Sequence, residues 1–201
     1  MYKSLYPSFA PPKTWRNPTQ KKRVEGEAWK SLRVKILNRD DYTCVFCGYK
    51  SEKFQVVDHI DGDPENNDDS NFQIICQICN LIKHAGRGCV VQGIVDLYKE
   101  AKYNQNEIVN ITRELRDEGG GDAEIIRHLG LRNKVPFKQD WEYLRPLFAF
   151  VTCRSSKKLD MYDRWVSFHK SNEVFYQKKR DINKMKTQNP QAQLKDYFES
   201  R

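Results

Sequence analysis

The sequence predicts an α+β fold: a small zinc-bearing unit of two strands and a helix, followed by a mainly α-helical C-terminal region. Three observations carry that reading. Two Cys-x-x-Cys pairs, Cys44/Cys47 and Cys76/Cys79, have the spacing of a tetrahedral zinc site. Two short β-rich runs lie between the pairs, and a helical pattern starts at the second pair. Beyond Cys89 the apolar residues recur at helical spacing.

Residues 1–26 read as a basic, proline-containing arm: Pro7, Pro11, Pro12 and Pro18 keep it extended, and Lys21, Lys22 and Arg23 close it. The zinc-bearing domain spans residues 27–89. Trp29, Leu32, Ile36 and Leu37 predict a helix from Glu27 to about Arg39, ended by Asp40 and Asp41. Tyr42 to Tyr49 reads as a zinc knuckle, with Gly48 placed after Cys47 where a positive φ costs little. Phe54 to Asp58 reads as a strand delivering Asp58 and His59, and residues 62–69 as a loop rich in turn formers. Phe72 to Ile75 is the second strand, and Gln77 to about Ala85 a helix ended by Gly86 and Gly88.

Residues 90–201 form the helical region. Ile94, Leu97, Tyr98 and Ala101 predict one helix, and Ile108, Ile111, Thr112 and Leu115 another. Asp122 caps a third, through Leu129. Trp141, Leu144, Leu147 and Phe148 form a further stripe, as do Trp165, Phe168 and Phe175. The segment from Glu107 to Leu131 loosely matches a helix-turn-helix, but Pro136 disfavours helix at Val135, so no recognition helix follows.

At 201 residues, with 38% hydrophobic residues and a mean hydropathy of -0.83, the chain can bury a core. No run of about 18 apolar residues exists, so no membrane span is predicted. The first residues lack the apolar stretch of a secretory signal, which places the expected location in the cytoplasm. Reduced thiols there favour zinc over disulfides. The net charge of +8 is unevenly spread: +7 over residues 1–40, -4 over 41–89, -1 over 90–150 and +6 over 151–201. Basic flanks around an acidic segment suit nucleic-acid contact, with solvated tails as the plain alternative.

The 28 residues between the Cys pairs exceed the usual zinc-ribbon interval, so the insert must be structured in its own right. At a strand end, neighbouring Asp58 and His59 point to opposite faces and can divide two tasks. A carboxylate binds a hard cation, and an imidazole takes a proton from water, which together suit phosphodiester hydrolysis. Asn80, after the last Cys, offers a second oxygen ligand. Asp61, Asp63 and Glu65 do not make a calcium loop, because Pro64 intrudes and Phe72 stands at the twelfth position.

These residues resemble the HNH nuclease motif: Asp58-His59-Ile60, Asp61-Gly62-Asp63, Asn66-Asn67, Ser70-Asn71-Phe72 and Cys76-x-x-Cys79-Asn80-x-x-Lys83, approached through Arg39-Asp40-Asp41-Tyr42-Thr43-Cys44-x-x-Cys47-Gly48. The resemblance covers about Leu32 to Arg87. It implies a ββα-metal fold that pinches one divalent ion, buttressed by structural Zn²⁺ on Cys44, Cys47, Cys76 and Cys79. It further implies His59 as general base, Asp58 and Asn80 as ligands of a catalytic Mg²⁺ or Mn²⁺, and Asn71 as the residue that orients the histidine. An amide oxygen suits those ions better than Zn²⁺.

The expected function is a metal-dependent DNA endonuclease of restriction, phage or mobile-element type, with a homodimer as one route to double-strand cuts. Lys83, Arg87, Lys21, Lys22, Arg23, Lys178, Lys179 and Arg180 are the expected phosphate contacts. The alternatives are a non-catalytic zinc-stabilised nucleic-acid-binding module and a nuclease subunit that takes its specificity from a partner.

Overall fold

A computed structural model describes residues 2–9, 26–63 and 65–154. Helix α1 (Gly26–Arg39) leads into the first Cys pair, and strands β1 (Gln55–His59) and β2 (Phe72–Cys76) pair antiparallel before α2 (Gln77–Lys83). A single π-helical turn (Arg87–Val91) then leads to β3 (Val95–Glu100), α3 (Gln105–Asp117), α4 (Asp122–Leu129), β4 (Arg132–Val135), α5 (Trp141–Leu144) and β5 (Phe148–Val151). The described fold is mixed α/β, with one two-stranded and one three-stranded sheet.

Alternation along β1 and β2 sorts the hairpin's faces. Val57 faces Ile74 and His59 faces Phe72, and Val57, Phe72 and Ile74 pack under Ile36 and Leu37 of α1. Val56 faces Ile75 on the opposite side, against a core that contains all four motif cysteines. Both faces of β2 are therefore covered, and all five of its residues are buried. The side chain of Gln55 donates to the carbonyls of Tyr42 and Tyr49, both at 2.8 Å, closing the first Cys turn against β1.

The region after Cys89 departs from the expected helices. Val95 to Glu100 is the central strand of an antiparallel sheet ordered β4-β3-β5. Its first four residues are buried, as befits a strand covered on both faces, and such a strand shows no polar alternation. The spacing of Ile94, Leu97, Tyr98 and Ala101 thus imitates a helix. Phe148 likewise opens β5 instead of extending the helical stripe from Trp141. Helix α3 is present with a full capping box between Asn104 and Glu107, and α4 starts at Asp122 with Gly121 as its cap. Tyr98 and Phe150 of the sheet pack against Ile108, Ile125 and Leu129 of these two helices. The stripe from Trp165 to Phe175 lies outside the described residues.

Residues 2–9 do not stand off the domain as an arm. Lys3 N–H donates to the Val45 carbonyl at 3.0 Å, Ser8 N–H to Ile82 at 3.3 Å, and Ala85 N–H to Ser8 at 2.8 Å. Leu5 and Phe9 are buried in the cysteine-containing core. Asn106 of α3 fastens this strap. Its Oδ1 accepts from Leu5 N–H at 2.9 Å, while its Nδ2 donates to the carbonyls of Lys3 and Phe46, both at 2.7 Å. Asn106→Ala orphans three backbone groups and is expected to cost about 1–3 kcal/mol, seen as a lowered urea midpoint with an unchanged slope.

Candidate functional site

The four motif cysteines meet. Cys44, Cys47, Cys76 and Cys79 are buried, and their sulfurs all lie within 4.8 Å of one another. Zn–S bonds of about 2.3 Å in a tetrahedron require sulfurs about 3.8 Å apart, and Cys47 and Cys76 stand at 3.7 Å. The donor set therefore fits zinc. Local geometry explains how each pair presents its sulfurs. Gly48 N–H donates to the Cys44 carbonyl at 2.9 Å in a turn where Gly48 has φ +72°, and a Cβ there would lie 2.5 Å from the Tyr2 ring. At the second pair, Cys76 caps α2, its sulfur accepting from Cys79 N–H at 3.5 Å.

One contact to this centre had no signal in the sequence. Arg113 of α3 reaches the sulfurs of Cys47 at 3.8 Å and Cys76 at 3.4 Å, and its guanidinium lies 3.8 Å above the Tyr49 ring. It is 66 residues from Cys47, and nothing in the helical pattern separates it from other surface arginines.

The Asp58 site is built differently from the expected cation site. Asp58 pairs with Gln73 across the hairpin, on the face turned towards α2. Its Oδ2 accepts from the Lys83 ammonium and from Gln73 Nε2 at 3.0 Å, and its Oδ1 lies 3.3 Å from His84 Nε2. Lys83 also donates to the His59 carbonyl at 2.7 Å. Two neighbouring residues can reach one carboxylate because α2 stops at Lys83, and His84 leaves the helix with φ -110° and ψ 51°. His84 is half-buried against Asp58.

Both Asp58 oxygens are thus already engaged, and a hard cation would have to displace an internal ammonium. Nothing in this arrangement supports the expected Mg²⁺ or Mn²⁺ at Asp58 and Asn80. Among the described residues, the four cysteines are the one group of three or more His, Cys, Asp or Glu side chains placed to share a metal. Burial alone would raise the Asp58 carboxyl, but the His84 hydrogen bond and the Lys83 charge outweigh it and bring the value down to about 2.

The other expected residues fall as follows. His59 lies on the opposite hairpin face from Asp58, its ring 4.7 Å from that of Phe72. Asn71 is buried and holds the loop: its Nδ2 donates to Asp61 Oδ1 and the Asn66 carbonyl, both at 2.9 Å, and its Oδ1 accepts from Asp61 N–H at 3.2 Å. Asn80 sits half-buried in the middle of α2. Lys83 points inward to Asp58 and away from any outside phosphate. Arg87 is half-buried in the π-helical turn, and burial lowers its pKa. Lys21, Lys22, Arg23, Lys178, Lys179 and Arg180 lie outside the described residues. No helix of the described residues is long and apolar enough to cross a membrane.

No family model matches the chain. Over 71 residues it is 40% identical to the type 4 apparatus protein DotN of Legionella pneumophila, a match covering 35% of this chain and 32% of DotN. The chain thus spans about a third of the length of the curated relative it matches. That relative is named as an apparatus protein and not as an endonuclease, which overturns the expectation of a DNA-cutting hydrolase with DNA as its partner. The occupied Asp58 carboxylate is the physical counterpart of that correction.

Lys83→Met would leave a buried carboxylate without its cation, and a loss of about 3–5 kcal/mol is expected in urea unfolding. Lys83→Met combined with Asp58→Asn should recover much of that loss. Because the folded value of Asp58 is depressed, its contribution to stability is present above the ordinary carboxyl range near pH 4. It is lost as pH falls towards 2. Unfolding of Asp58→Asn should therefore show a shallower acid limb than wild type.

Proposed function

We propose that this chain is a non-enzymatic, zinc-clamped component of a type 4 apparatus, working through protein partners. The ββα arrangement of β1, β2 and α2 would then be an HNH-like scaffold in structural use. The observation that carries this reading is the Lys83 ammonium on Asp58, at the carboxylate where a nuclease of that kind needs a divalent ion. An ammonium neutralises the carboxylate but offers no empty coordination position for a phosphate oxygen or a water molecule. The similarity to DotN supports an apparatus role, and the four-cysteine cluster supplies rigidity in a small unit.

A protein partner also suits Phe54. It holds φ +64° just before β1 while its ring is 71% exposed. A bulky residue in that backbone region costs energy. Exposed aromatic side chains are enriched at protein interfaces.

Supercoiled plasmid incubated with the purified protein in Mg²⁺ or Mn²⁺ is expected to remain supercoiled. In cells of its source, crosslinking and mass spectrometry should place the chain beside other apparatus proteins, with yields unchanged by nuclease treatment of the lysate. Metal-dependent nicking that disappears in His59→Ala would overturn the reading.

A further inference from the structure

We propose that Arg113 is the electrostatic cap of the zinc–thiolate centre, a positioning residue that guards the sulfurs and fastens α3 to them. The inference rests on the four cysteines holding zinc, which the donor geometry fits. Four thiolates around one Zn²⁺ leave a net charge of about -2. Such a charge inside a core needs a nearby cation or N–H donors.

The described structure supplies both in one side chain. Arg113 Nη1 points to Cys47 and Nη2 to Cys76, so the guanidinium spans one sulfur from each Cys pair. Its planar fork suits that bridging task in a way a lysine ammonium does not. Tyr49 fixes the plane from below, with its ring 3.8 Å from the guanidinium carbon. The Tyr49 carbonyl in turn accepts from Cys44 N–H at 3.0 Å, so the same residue braces the cap and the first Cys turn.

The helix that carries Arg113 is held for this purpose at several points. Asn106, two turns earlier, donates to the Phe46 carbonyl inside the first Cys turn. Gln105 exchanges two hydrogen bonds with the Ala149 backbone, at 2.9 and 2.7 Å. Val109 is buried in the cluster that holds the cysteines, and Ile108 in the cluster with Ile125, Leu129 and Phe150. Arg113 thus joins the sequence-distant C-terminal elements to the metal centre through charge as well as packing. N–H donors on a thiolate withdraw electron density from sulfur, which weakens its attack on electrophiles and lowers the energy of its lone pairs.

Three variants test the proposal: Arg113→Ala, Arg113→Lys and Arg116→Ala. Arg116 is the control, because it holds Asp122 at 2.8 Å and the Val151 carbonyl and so braces the same helix without touching sulfur. Zinc content is measured first, and wild-type protein lacking one zinc per chain would overturn the proposal together with the centre itself. Zinc release is then followed with a chromogenic chelator in the presence of a thiol-alkylating reagent. Arg113→Ala is expected to release zinc about tenfold faster than wild type, with Arg113→Lys in between.

The Co²⁺-substituted protein gives the second readout. Loss of the N–H donors should move the sulfur-to-cobalt charge-transfer band to lower energy in Arg113→Ala, while Arg116→Ala leaves it in place. Should Arg113→Ala fail to fold, Arg113→Lys carries both measurements. Equal release rates and an unmoved band in the Arg113 variants would overturn the proposal, as would an equal shift in Arg116→Ala.

Discussion

Four sulfurs from two turns, 28 residues apart along the chain, converge to within 4.8 Å of one another, and most other placements depend on that convergence. The first turn supplies Cys44 and Cys47 only because Gly48 adopts a positive φ and yields its side-chain space to Tyr2. The second supplies Cys76 and Cys79 from the junction where β2 becomes α2. Bringing the two together lays Val45 along β2, where its N–H donates to Ile74 at 2.9 Å. The strap of residues 2–9 then runs over the first turn and along α2, and α3 closes the remaining side. A core of this size gains from such a clamp, because a short two-stranded hairpin is marginal alone.

The second constraint is electrostatic. Asp58 is 7% exposed, so its charge must be met from within the protein. A divalent ion would meet it while leaving open positions for a substrate. Lys83, His84 and Gln73 meet it here from within the protein. The two solutions use nearly the same residues and the same hairpin face. They differ in where one ammonium points.

The four-cysteine unit is largely legible in the sequence. Its cysteine spacing, its turn residues and the β-rich runs beside Val57 and Ile74 each reflect a local rule, and those rules agree. The three-stranded sheet was not legible, since β3 is buried on both faces and carries the apolar spacing of a helix. Its partners β4 and β5 have four residues each, too few to show a period. Arg113 and Asn106 were invisible for a different reason. Their roles depend on where a helix docks, and a single polar side chain in a helix does not announce its neighbours. Residues 2–9 belong to a stretch, 1–26, whose prolines and basic residues suggest an extended arm, whereas Leu5 and Phe9 decide the path of 2–9.

The candidate site shows the same limit most sharply at Lys83. Spacing places it one turn after Asn80, where the nuclease resemblance implies contact with a phosphate. The same spacing brings its four-carbon stem within reach of Asp58, and the helix end at His84 removes the geometric barrier to turning inward. Once there, the ammonium gains a buried carboxylate and the His59 carbonyl, partners worth more in a shielded site than a solvated phosphate outside it. The resemblance in sequence thus specifies the residue types and their backbone positions, while the chemistry depends on side-chain pairings that the motif leaves open. With Asp58 and Lys83 satisfied by each other, the hairpin and α2 are stapled together, which suits the platform role proposed above.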